Sequence, residues 1–286
     1  MELAVIIAYQ ITYAFAILVL ISLGLAVIFG MMGVINLAQG EFMMLGAYVC
    51  NIAVRAGVNL WVSFVIAGVV VGLFGMLVER VLIRFLYGRV LDTMLATWGL
   101  SLFLVGGVTM IMGPTTASIA APLSNVVFGA YRVPIYSLVL VGFALGLLVL
   151  TYALLRFTKA GLIARGTMQN PVMAAALGVP PSLVYVLTFG YGAAITGFAG
   201  AIIAPLAGVA PTMGVYYIAR AFITVISGGS VILTGTASAS ILFGSIGGVV
   251  EYLTSPVVGE VCVLFVAIVL LRLLPRGITG RMSRGL

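Results

Sequence analysis

TKAGLIARGTMQNPVMAAALGVPPS, residues 158–182, is a polar, basic interruption between two hydrophobic segments, 134–155 and 183–207, each long enough to cross a bilayer. It carries Lys159, Arg165, Gln169 and Asn170, then a small-residue turn, Ala174-Ala175-Ala176-Leu177-Gly178, stopped by Pro180-Pro181. Lipid offers no partners to charges and irregular backbone, so this stretch lies outside the hydrocarbon. It is also longer than a tight connection between two helices needs. It predicts a short helix flanked by loop, held against the cytoplasmic face where a soluble partner can push on it.

Outward from this stretch, the rest of the chain is close to pure hydrocarbon. The 286 residues are 64% hydrophobic and 7% charged, with two cysteines and no histidine. A soluble domain carries about 25% charged residues. At roughly 20 apolar residues per spanning helix, the length holds about eight or nine spans with short loops. Apolar segments run over 3–29, 42–55, 60–78, 93–112, 134–155, 183–207, 216–233, 236–253 and 257–274. They are long and continuous, unlike the alternating ten-residue strands of a membrane barrel. The expectation is an all-α integral membrane protein, a polytopic bundle with interrupted or re-entrant segments, forming one membrane domain over 1–286. The N-terminus has no positive region and no small-residue cleavage site, so residues 3–21 read as a first membrane helix and not as a signal peptide.

The net charge of +7 is topological. Cytoplasmic loops collect Lys and Arg, which puts three groups inside: Arg80, Arg84 and Arg89; Arg156, Lys159 and Arg165; and Arg272, Arg276, Arg281 and Arg284. Only Arg55 and Arg132 face the other way, the C-terminus is cytoplasmic, and nine crossings would place the N-terminus outside. Because the basic residues are split among loops, no nucleic-acid partner is implied. Arg220 and Glu260 sit near span ends, where snorkelling accounts for them; Glu251 is expected to pair with a neighbouring helix or lie near an interface. Cys50 and Cys262 lie in apolar segments and read as small fillers. No metal spacing occurs.

Two glycine-bearing interruptions fall one in each half: Gly30 to Glu41, and Ser227-Gly228-Gly229-Ser230 on to Gly235. Paired interruptions of this kind point to a transport site built from discontinuous helices. In the first, Asn36, Gln39 and Gly40 share a face if the run is helical, with Glu41 beside them. That strip reads either as the lining of a solute pathway or as an ordinary solvated turn. Thr97, Trp98 and Ser101 form a second polar cluster, open to the same two readings, pathway lining or packing. With Ser227 and Ser230 these are the candidate pathway residues; their hydroxyls and amides suit a neutral, hydrogen-bonding solute better than an ion. The pairs Gly68/Gly72, Gly142/Gly146 and Gly244/Gly248 are spaced for close helix contact. Loops 113–134 and 208–215 are nearly uncharged and fall outside, where an external partner can reach them.

No chain of buried acids suggests a proton relay. No G-x-x-x-x-G-K-[ST] occurs, and the sole lysine, Lys159, precedes Ala-Gly, so the chain does not cradle ATP itself. No catalytic constellation and no cofactor are expected.

GLAVIFGMMGVINLAQGEFMMLGAYV, residues 24–49, resembles the first motif of permease subunits of the branched-chain amino acid family of ABC importers. ERVLIRFLYGRVLDTMLATWGLSL, residues 79–102, is similar to the urea-type branch, and Arg165 to Gly178, with T-x-Q-N-x-x-M-A-A, resembles the urea-type coupling loop. The likeness is collinear over almost the whole chain. It implies a bacterial or archaeal inner-membrane importer with four kinds of partner: a second homologous permease subunit, two cytoplasmic ATPase subunits that bind the ATP, an extracytoplasmic solute-binding protein, and membrane lipid. The coupling residues it implies are Arg165, Gln169, Asn170, Met173, Ala174, Ala175 and Gly178. Gln39 replaces a histidine common in relatives, Ser227 to Ser230 departs from L-G-G-x-G, Arg220 stands where urea-type relatives tend to be acidic, and loop 113–134 is short. These departures widen the expected solute from urea to short aliphatic amides. Two alternatives stay open: a branched-chain amino acid permease, and a stand-alone urea or amide channel.

Overall fold

The computed structural model describes residues 2–122, 125–128, 131–229 and 231–280. The helices are α1 (Glu2–Met32), α2 (Gln39–Arg55), α3 (Leu60–Val81), α4 (Val90–Met112), α5 (Ile135–Phe157), α6 (Lys159–Gln169), α7 (Pro171–Ala176), α8 (Pro181–Ala207), α9 (Met213–Gly228), α10 (Ile232–Leu253) and α11 (Pro256–Leu273). A 3-10 turn, Ile83–Phe85, follows α3, and an antiparallel hairpin of β1 (Asn125–Phe128) and β2 (Tyr131–Pro134) precedes α5. Helices dominate because a segment in lipid must satisfy its own backbone.

The polytopic helical class is as expected. Among the described residues, seven helices are long and apolar enough to cross. The segments read at 42–55 and 216–233 became α2, 17 residues, and α9, 16 residues. At about 1.5 Å per residue these reach roughly 25 Å, short of a hydrocarbon core of about 30 Å. Each of the two short helices adjoins one of the glycine-bearing interruptions.

The chain divides into two compact units, one comprising 23–119 and 149–219, the other 1–22, 120–148 and 220–286. In the first, α3 runs along α8 and α2 packs on both. With no hydrophobic force between helices in lipid, close van der Waals approach holds them, and glycine allows it. A Cβ on Gly46 would lie 2.0 Å from the Gly197 carbonyl oxygen, one on Gly200 2.0 Å from that of Met43, and one on Gly75 2.4 Å from the Ala193 Cβ. Gly72 likewise approaches Ala194, as its spacing predicts. Gly142 and Gly146 do not follow that prediction: among the described residues a Cβ on either would meet nothing within 4 Å. Phe42 fills the space between the three helices, edge-on to Phe74 and Phe189 at 5.8 and 6.0 Å. The two loops read as external meet here, Ala117 and Val209 exchanging N–H···O bonds of 2.8 Å.

In the second unit α10 packs on α11, and Gly244 and Gly248 receive the backbone of α1 at Phe15 and Gln10. Arg220 and Glu260 do not snorkel separately; they pair at 3.0 Å, joining α9 to α11. Glu251 is exposed and Cys50 is buried, while Cys262 is half-buried; both cysteines are free.

Candidate functional site

The first interruption is a true break. α1 ends at Met32, Gly33 follows with a φ of +64° that favours glycine, and helix resumes only at Gln39. Asn36 and Gln39 therefore share no helical face, contrary to the continuous run considered from sequence. Asn36 closes the break locally: its Oδ1 accepts from the Ala38 N–H at 3.1 Å, and its Nδ2 donates to Gln39 Oε1 at 2.9 Å. Gln39 Nε2 in turn donates to Thr196 of α8. Thr97 accepts the Leu37 N–H at 3.1 Å and donates to the Thr93 carbonyl at 2.8 Å. The break is thereby tied to α4 on one side and α8 on the other. Thr97 sits about 10 Å along α4, so the tie is made well inside the span.

All of this is shut from solvent, with Asn36, Gln39, Glu41 and Thr97 each no more than 2% exposed. Glu41 is the exception in chemistry. Ser101 approaches its carboxyl, yet among the described residues its Oε2 has no hydrogen-bond partner. A buried carboxylate oxygen left so is costly, and within a membrane such groups mark function. Trp98, grouped with these residues from sequence, is 55% exposed and stands outside the cluster. Thr196 belongs to the cluster and was missed. It is one of five hydroxyl-bearing residues in α8, with nothing local to single it out, and its partner lies 157 positions away.

Ser227 is buried and its hydroxyl has no partner among the described residues; Ser230 lies outside them. Beside Ser227 the glycines close a joint. Gly228 meets Gly235 backbone to backbone, and Gly229, at φ +87°, meets Arg276 and Gly277. Thr279 pins it, donating to the Gly228 carbonyl at 2.6 Å and accepting the Val231 N–H at 3.2 Å. The interruption thus makes the tight connection from α9 to α10, clasped by the segment that follows α11.

The polar stretch folds as two helices. Thr158 caps α6 by accepting the Gly161 N–H at 3.0 Å, and Gly161 sits against the Leu154 and Leu155 backbone at the end of α5. Asn170 caps α7 by accepting the Met173 N–H at 3.0 Å, with Pro171 at the first helical position. Gly178, at φ +85°, and Pro180-Pro181 then turn the chain directly into α8. Of the coupling residues, Ala174 is buried, Arg165 half-buried, and Gln169, Asn170, Met173, Ala175 and Gly178 exposed. Val172, Met173 and Leu177 hold out large apolar side chains, 78, 58 and 78% exposed. The six-residue α7 and its C-cap Leu177 thus present apolar side chains at the surface, between the Asn170 cap and the Gly178 turn.

The family model described as "Branched-chain amino acid transport system / permease component" matches residues 7–281. The chain is 28% identical to the high-affinity branched-chain amino acid transport system permease protein LivH of Salmonella typhimurium, over 92% of this chain and 91% of that protein. It is 29% identical to the probable branched-chain amino acid transport permease protein LivH of Methanocaldococcus jannaschii, over 92 and 88%. BraD of Pseudomonas aeruginosa, named as a permease protein of the same kind of system, is 28% identical over 92 and 91%. No solved structure matches. With nearly all of its length matched, the chain belongs to the branched-chain amino acid transport permease family.

Proposed function

We propose that this chain is the membrane subunit of an ATP-driven importer for branched-chain-type amino acids. It works beside a second permease subunit, with two cytoplasmic ATPase subunits gripping α6 and α7 and an external binding protein delivering the solute. The observation that carries this reading is the α6–α7 pair: a passive channel has no use for a capped, apolar-tipped helix locked to the start of a spanning helix. α8 begins where the coupling segment ends, and about 22 Å along it stands Thr196, holding Gln39 of the break. A shift of α7 is delivered along α8 to the buried polar cluster. There the unpartnered Glu41 Oε2 offers a counter-charge to a solute ammonium. ATP binding moves the assembly only through differential affinity for its inward and outward states.

Carriage of urea or short aliphatic amides is the second reading. It is favoured by the largely uncharged cluster of Asn36, Gln39, Thr97 and Thr196, and by the urea-type likeness of residues 79–102. The experiment is ATP hydrolysis by the reconstituted complex, with leucine, acetamide and urea each delivered by the binding protein. Stimulation by leucine supports the first reading, and stimulation by urea or acetamide alone replaces it with the second. Nucleotide-independent solute flux through the lone purified chain would overturn both.

A further inference from the structure

A cleft of about 430 Å³ opens where α3 ends and α8 begins, walled by Glu79, Arg80, Arg84, Tyr87, Ser182 and Tyr185. Two arginines and one carboxylate line it; the Arg84 guanidinium lies 5.3 Å from the Phe85 ring centre, and among the described residues neither arginine is in an ion pair. Glu79 is 1% exposed. Its Oε1 accepts the Tyr87 hydroxyl at 2.5 Å, while Oε2 has no partner among the described residues. The Tyr87 ring lies over Tyr185, 4.8 Å between centroids, which closes one wall. Residues 60–80 rise about 30 Å along α3, so Arg80 stands where hydrocarbon gives way to headgroups. On the membrane side, Leu73 and Leu77 of α3 and Leu183 and Leu187 of α8 are half or more exposed.

We propose that this cleft binds the headgroup of a phospholipid bearing a primary amine, as in phosphatidylethanolamine. The phosphate sits between Arg80 and Arg84, which supply charge-assisted donors. The ammonium donates to Glu79 Oε2, and the acyl chains lie along the four leucines. A choline headgroup has no N–H to give that oxygen. Simple snorkelling of arginines takes any phosphate, so preference for the amine is what separates the two accounts.

The test is native mass spectrometry of the full chain with phosphatidylethanolamine, phosphatidylcholine and phosphatidylglycerol, each at equal concentration, with inorganic phosphate and glycerophosphoethanolamine as soluble arms. The expected result is about tenfold tighter binding of the ethanolamine lipid than of the choline lipid, the worth of one charge-assisted hydrogen bond. Glu79→Gln, which keeps an acceptor for Tyr87, removes that preference while both lipids still bind. Arg84→Gln, at an exposed position, weakens both. Equal binding of the two lipids by the native chain overturns the proposal. So does saturation of the cleft by either soluble probe at the lipid's affinity. Loss of ATPase subunits from Arg84→Gln without any lipid preference would make the cleft a protein-docking site instead.

Discussion

Replacing Gly46 by alanine puts a single methyl group where α2 crosses α8. That carbon would lie 2.0 Å from the Gly197 carbonyl oxygen and 2.6 Å from its C and Cα atoms. Ordinary contact begins near 3.4 Å, so the shortfall is 3.4 − 2.0 = 1.4 Å. The obstacle is backbone, with no flexible side-chain end to give way, and the neighbouring contact of Gly200 on the Met43 carbonyl is equally close. Overpacking costs about 1–3 kcal/mol, and a clash of backbone against backbone belongs at the upper end. Alanine repays about 1 kcal/mol in helix propensity, leaving a net loss of about 2 kcal/mol. Gly99→Ala in α4 is the matched control, since a Cβ there would meet nothing within 4 Å among the described residues; it gains up to about 1 kcal/mol. Unfolding of both variants in mixed micelles, followed by circular dichroism against added SDS, measures the difference. A Gly46→Ala protein as stable as wild type, or less affected than Gly99→Ala, would refute the packing described for α2 and α8.

Thr196→Val leaves the Gln39 amide without its acceptor at a position 1% exposed; stability should fall by about 1–3 kcal/mol and solute uptake with it, and an unchanged denaturation midpoint would remove the α8 tie. Burial, and after it donation to the Glu79 carboxyl, pushes the Tyr87 phenol above its ordinary 10.0. The folded chain therefore keeps a proton that the unfolded chain releases, so this contribution is full below about pH 10 and declines as pH rises beyond it. Tyr87→Phe should lessen the alkaline loss of stability relative to wild type; identical pH profiles would contradict the Tyr87–Glu79 bond. Met173→Asp together with Leu177→Asp places charge on the exposed apolar tip of α7. Loss of a hot spot of about 2 kcal/mol weakens ATPase binding about thirtyfold, read by co-purification, with membrane insertion unaltered; full co-purification would move the docking surface elsewhere.

The spans were legible because lipid demands long apolar runs, and α7 was legible from the small residues before Pro180-Pro181, although its start at the Asn170 cap and its end before Gly178 were fixed only by the structure. α6 was read as loop: its glycines and charges mask a helix whose stability comes from the Thr158 cap and from seating Gly161 on α5. Small-residue spacing found Gly72 and Gly248 and failed at Gly142 and Gly146, since spacing says which glycines share a face and not whether a neighbour covers it. The polar break at 33–38 was visible as composition. Its closure through Thr97 and Thr196 was not, because those bonds join positions 60 and 157 residues apart. The β1–β2 hairpin carries no strand pattern strong enough to separate it from an uncharged loop.

In the proposed importer this chain is a conduit moved through α7 by its ATPase subunits. A Met173→Cys variant, exposed to a membrane-impermeant maleimide, tests it most directly, since Cys50 is buried and Cys262 half-buried. Labelling in inside-out vesicles, absent from right-side-out ones and blocked once ATPase subunits are bound, is the predicted result. Labelling from the outer face, or labelling indifferent to the ATPase subunits, would contradict it.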